Sequence, residues 1–191
     1  MPEPQRCDWV NASPLMIRYH DEEWGVPVHD DRKLFEFIIL DAFQAGLSWS
    51  CILNKRESFR QAFDNFQPEQ IALYEDTKIQ ALLADASIIR NRLKIKATIH
   101  NARAYLKILE SQGSFDAYIW QYTAGKTIVN TWRESAQIPV STPESDAMSR
   151  DLKQRGFSFV GTTICYAFMQ VAGMVNDHLV SCFRYRELAG R

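Results

Sequence analysis

Apolar residues recur at helical spacing along most of this chain, and no segment sustains the alternation of apolar and polar positions that marks a half-buried strand. The pattern predicts an all-α protein. Leu34 to Phe43 is apolar on nearly every helical face and predicts a buried central helix. Asp30 or Asp31 supplies its N-cap, and Gly46 stands where a left-handed residue ends it, so Gln44, Gly46, Leu47 and Trp49 fall on the exit turn. Before it, Ser13-Pro14 starts a short helix over Leu15 to Glu23 that stops at Gly25. After Trp49 the pattern stays helical through Ile52, Leu53, Phe59 and Phe63, and Pro68 opens another short helix. Thr77 to Ala84 forms the next, and a tight turn at Asp85-Ala86-Ser87 leads into a long helix from Ile88 to about Ser111. Ser114 caps a helix through Trp120, Lys126 to Val140 reads as an irregular connection, and Thr142-Pro143-Glu144 opens a helix that ends at Gly156. The last helix lies within Gly161 to Gly173 and is apolar enough to be buried.

With 191 residues and 46% hydrophobic content, the chain can bury one sizeable core, and a single domain over residues 1–191 is expected. A net charge of −1 excludes the strongly basic class of nucleic-acid binders but leaves room for a local basic face. The N-terminus lacks an apolar core of signal-peptide length and no run is long enough to span a membrane, which predicts a cytoplasmic protein without membrane association. In that compartment the four cysteines are thiols or metal ligands rather than disulfides.

Three features carry candidate chemistry. Asp41 places a carboxylate in an otherwise apolar helix, where burial is costly unless something pairs with it. Cys7 and His20 near one end, with His178 and Cys182 four apart on one face of a helical turn near the other, make a pattern suited to closed, tetrahedral zinc. A helix-end histidine with cysteines as small core residues fits the same spacing, as Cys51 and Cys165 do in their own helices. Third, Arg90, Arg92, Lys94 and Lys96 follow the turn between two helices, either as a phosphate-binding face or as a solvated helix surface.

Cys7-x-Trp9, the run from Tyr19 through His20, Asp21, Glu23, Trp24 and Gly25 to Pro27, Gln44-Ala45-Gly46-Leu47-Ser48-Trp49, Lys55-Arg56-Glu57, the run from Gly161 to Gln170, and Val175-Asn176-Asp177-His178 resemble the 3-methyladenine DNA glycosylase I family over nearly the whole chain. The resemblance implies the helix-hairpin-helix DNA glycosylase fold, with the hairpin at Ser87, and a monofunctional enzyme of base excision repair that removes 3-methyladenine from double-stranded DNA, acting as a monomer. It implies one structural zinc on Cys7, His20, His178 and Cys182, joining the N- and C-terminal segments. It places the base-binding residues at Trp9, Met16, Tyr19, Asp41 and Trp49, with Asp41 and Tyr19 as the catalytic pair. Its DNA-binding positions fall on Gly46, Leu47, Ser87, Arg90, Lys94 and Lys96, Leu47 being an apolar wedge that holds neighbouring bases apart.

The chain departs from the family's pattern at several of these positions. Asp41 replaces a glutamate, Ala42 and Phe43 replace a more polar pair, Met16 stands where a pocket tyrosine is usual, and Ser87 and Leu93 replace glycines. A left-handed backbone at Ser87 would cost about 1 kcal/mol. These changes keep open an alternative of the same fold, a non-catalytic or altered-specificity lesion binder. A zinc hydrolase is excluded by a ligand set that leaves no open metal position.

Overall fold

The computed structural model describes residues 4–190, so Met1 to Glu3 and Arg191 of the expected single domain lie outside it. In chain order the helices are α1 (Pro14–Glu22), α2 (Asp31–Gln44), α3 (Trp49–Ala62), α4 (Pro68–Ile71), α5 (Asp76–Ala84), α6 (Arg92–Gln112), α7 (Phe115–Trp120), α8 (Pro143–Gln154), α9 (Thr162–Val171) and α10 (Phe183–Ala189). Every residue of α2 from Leu34 to Phe43 is buried, and the helix packs against α3, α6, α7 and α9. Each buried Leu, Ile or Phe contributes about 1.5–3 kcal/mol, which makes α2 the axis of the core. The two adjacent aspartates divide the work at its start. Asp30 Oδ1 accepts from the Lys33 amide at 2.7 Å, while Asp31 accepts from the Asp116 amide at 2.7 Å and so caps α7. Gly46 has φ +77°, the left-handed conformation expected at the exit turn.

The fold is mostly helical, as the pattern predicts, and among the described residues Ile128–Val129 (β1) pairs in parallel with Val175–Asn176 (β2). A two-residue ladder between distant segments is too short to leave a period-2 signal. Four expectations need correction. His178 and Cys182 lie on a loop and turn, closed by the Cys182 amide donating to Leu179 O at 2.8 Å, rather than on a helix. Helix α10 follows that turn, so the helix within Gly161 to Gly173 is not the last. The long helix starts at Arg92, not Ile88, because Asn91 caps it by accepting from the amides of Leu93 and Lys94 at 3.0 and 3.1 Å. Ser87 is outside the left-handed region, so the strain expected there does not arise.

Among the described residues no helix is long and apolar enough to cross a membrane.

Candidate active site and metal cluster

A cavity of about 210 Å³ opens beside the C-terminal half of α2. Asp41 and Gln44 line it from α2, Trp49 from the start of α3, Tyr19 from α1, and Trp9 and Trp24 from the segments flanking α1. Ala167 and Gln170 of α9 and Ile138 of the connection before α8 complete the wall. The aromatic rings interlock: Tyr19 lies 5.1 Å from Trp49 and Trp9 lies 4.9 Å from Trp24, centroid to centroid. Arg56 of α3 donates to Glu23 at 2.8 Å, fixing the end of α1 against α3 and with it the two helices that carry Tyr19 and Trp49. Against the upward push of burial, the Arg56 guanidinium holds the Glu23 carboxyl below its usual range.

Asp41 is 2% exposed, its Oδ2 is buried with no hydrogen-bond partner, and Trp49 Nε1 is likewise buried without an acceptor. The aromatic wall therefore holds one unused acceptor and one unused donor. Burial raises the Asp41 pKa well above the usual carboxylate value. Burial, then the nearby Asp41 and Glu23, also raise Tyr19, which keeps its phenol neutral. Of the base-binding residues expected from sequence, Trp9, Tyr19, Asp41 and Trp49 converge here. Met16 is buried in the core and is not part of the cavity lining. Trp24, Gln44, Ile138, Ala167 and Gln170 complete the lining without having been singled out as base-binding; for Gln170 the available signal was a polar residue in the apolar pattern of α9.

The exit turn of α2 presents Leu47 to solvent, 40% exposed, directly after Gly46. Arg90 and Lys96 are exposed near the start of α6, as is Arg92, and Ser87 is exposed on the hairpin. Lys94 differs from the expectation of a phosphate contact. It is buried, and its Nζ donates to the carbonyls of Phe43 at 2.8 Å and Ala45 at 2.6 Å, closing the C-terminal end of α2. The cation offsets the partial negative charge of that helix end. Lys55 of α3 makes a parallel link, donating to Ser87 O at 2.8 Å. Two lysines thus tie the hairpin to the helices on either side of the Leu47 turn. The Leu93 and Lys94 amides are already taken by Asn91, leaving exposed side chains rather than these amides to meet phosphate.

On the far side of Trp24, Cys7, His20, His178 and Cys182 are all buried and their potential ligand atoms lie within 4.8 Å of one another. Cys182 Sγ is 3.4 Å from His20 Nε2 and 3.5 Å from His178 Nδ1, and Cys7 Sγ is 3.7 Å from His178 Nδ1. Sulfur and nitrogen on a tetrahedral zinc are separated by roughly 3.5 Å, so these spacings suit such an ion. Each imidazole is oriented by its other nitrogen, His20 through Nδ1 to Asp21 at 2.7 Å and His178 through Nε2 to Trp24 O at 3.0 Å. The two thiols titrate as a pair: hydrogen bonding from Cys7 holds Cys182 low, and sharing that proton, together with burial, pushes Cys7 up.

The model of the family described as methyladenine glycosylase matches residues 9–185. The chain is 49% identical to DNA-3-methyladenine glycosylase 1 of Escherichia coli (strain K12), covering 95% of this chain and 97% of that protein. It is 46% identical to DNA-3-methyladenine glycosylase of Haemophilus influenzae (strain ATCC 51907 / DSM 11121 / KW20 / Rd), covering 93% and 96%. A crystal structure of 3-methyladenine DNA glycosylase I superposes with a TM-score of 0.92 at 51% identity over 94% of this chain and 98% of the other. A structure of the Staphylococcus aureus enzyme, described as the basis of its 3-methyladenine recognition, gives 0.91 at 34% identity over 93% and 95%. With the match running from the aromatic wall near the N-terminus to the turn that carries Cys182, the chain belongs to the methyladenine glycosylase family.

Proposed function

We propose that this protein is a monofunctional DNA glycosylase that extrudes 3-methyladenine from double-stranded DNA and hydrolyses the bond between base and sugar. The observation that carries the reading is Asp41 Oδ2, a buried acceptor without a partner in a cavity walled by aromatic rings. Adenine's edge offers an amino donor beside ring-nitrogen acceptors, which matches an unused acceptor on Asp41 and an unused donor on Trp49. Methylation at N3 makes the nucleobase cationic, and a cation over aromatic faces gains about 0.5–2 kcal/mol that neutral adenine does not. Stacking adds about 1–3 kcal/mol per base, comparable to the few kcal/mol that extrusion costs. Entry of a positive ring draws Asp41 back to its ionised form, and this charge then stabilises the developing positive character at the sugar as the base leaves neutral. Among the described residues no lysine lines the cavity, which supports attack on the sugar carbon by water and a strand left uncut.

Gly46 and Leu47 fill the gap left in the duplex, and Ser87, Arg90 and Lys96 of the hairpin and α6 meet the phosphates. Cys7, His20, His178 and Cys182 hold one zinc ion with no open position, so its role is structural. The enzyme works as a cytoplasmic monomer, with the whole chain forming one domain. Release of 3-methyladenine from methylated duplex DNA, measured beside binding to abasic duplex, tests the reading. Base release at a rate that Asp41→Asn lowers supports it; tight abasic binding with no release instead identifies a lesion-binding protein.

A further inference from the structure

Asp177 is 1% exposed, and two side-chain donors reach each of its carboxyl oxygens. Its Oδ1 accepts from Asn130 Nδ2 at 2.7 Å and Trp132 Nε1 at 2.8 Å, and its Oδ2 accepts from the Tyr166 hydroxyl at 2.7 Å and Gln170 Nε2 at 2.8 Å. Four donors fill the acceptor sites of the carboxyl group. The Gln170 amide donates through Nε2, so its NH2 group faces Asp177 and its oxygen is the end left for other partners. Gln170 lines the aromatic cavity. We infer that Gln170 is a specificity-determining contact that presents a hydrogen-bond acceptor to the exocyclic amine of the extruded base, and that Asp177 is the positioning residue that fixes which end of the amide faces inward. The inference rests on the cavity being the base pocket. An adenine-type amine has two N–H groups, so Asp41 and Gln170 can each take one. A purine with an oxygen at that position has nothing to donate there and leaves both acceptors unpaired, the kind of mismatch that discriminates strongly.

Binding of free 3-methyladenine and of its 6-oxo analogue, 3-methylhypoxanthine, can be followed through the fluorescence of Trp9, Trp24 and Trp49, which line the cavity. Wild type should prefer 3-methyladenine, and Gln170→Met, similar in size, should shrink that preference by about tenfold through weaker 3-methyladenine binding. Asp177→Asn can offer its own NH2 to the Gln170 oxygen and so reverse the amide; it should shift preference toward the 6-oxo base, which a general loosening of the fold would not do. Adding Gln170→Met to Asp177→Asn should then change the preference little. Because Asp177 neighbours His178, metal content is measured for each variant, and if Asp177→Asn does not fold, Gln170→Met decides alone. Wild-type preference in Gln170→Met overturns the inference. Asp41→Asn separates the two failures: if it weakens 3-methyladenine binding while Gln170→Met does not, the pocket stands and the role of Gln170 falls; if wild type binds neither base, the pocket reading fails and takes this inference with it.

Discussion

Lys94 donates to Ala45 O at 2.6 Å, placing a helix-hairpin cation on the end of the helix that carries Asp41. Burial lowers the Lys94 pKa, and its ammonium completes the carbonyls that the last turn of α2 leaves open. The same contact steadies the turn bearing Leu47. Lys94→Met keeps the stem but strands the Phe43 and Ala45 carbonyls, at a cost of about 1–3 kcal/mol. The variant should melt lower and bind abasic DNA more weakly, with its salt dependence unchanged. Lys96→Ala should instead keep its melting temperature and lose about 0.9 from the slope of log affinity against log salt. A reduced slope in Lys94→Met would return Lys94 to the phosphate-binding face.

Asp41→Asn keeps the size of the side chain and removes its charge. Release of 3-methyladenine should fall by at least tenfold while abasic binding changes little, because only the step that develops positive charge needs the carboxylate. Asp41→Glu restores the reach usual in the family and should raise base release. Full activity in the Asn variant with no change in the Glu variant would mark Asp41 as an idle core carboxylate.

The same group sets a pH dependence of stability. Burial raises the native Asp41 pKa above its unfolded value, so between those two values the native state holds a proton that the unfolded chain has lost. Stability from this group is fully present below about pH 4 and declines as pH rises through the native pKa, by up to about 1.4 kcal/mol per pH unit. Asp41→Asn removes this slope and should melt higher than wild type at neutral pH, by about 2–4 °C for each kcal/mol relieved. Urea midpoints of the two proteins across pH 4 to 8, subtracted from one another, test this; a difference that does not grow with pH contradicts it.

Cys182→Ser removes one soft ligand from the buried cluster. Purified wild type should carry one zinc per chain, and the variant should lose it and melt lower, since metal binding and closure of the two chain ends are one event. Wild type free of stoichiometric metal would show that the cluster folds without an ion.

What the sequence revealed was what lies close together in it. Asp30 as a cap, Gly46 as a stop and Asp41 as a misfit in an apolar run are local signals, and each sits where those signals point. The four-residue cluster was legible because cysteine and histidine are scarce enough for their pairing to stand out. Asp177 was not, because its donors come from residues 130 to 170 and only the tertiary fold brings them to one carboxylate. The two carbonyl contacts of Lys94 were not legible because spacing marks a cation on a helix without telling which way it turns. Met16 was placed by resemblance at a wall it does not reach, and α10 escaped because seven residues rich in charge carry too little apolar period.

Agents that methylate adenine also methylate thiolates, and a repair enzyme meets both reactions in the same compartment. Sulfur reacts as the exposed anion, and Cys7 and Cys182 are each 2% exposed, with the Cys7 sulfur further occupied by the Leu179 amide at 3.4 Å. The cluster that joins the chain ends therefore keeps its two sulfur atoms out of reach of such reagents.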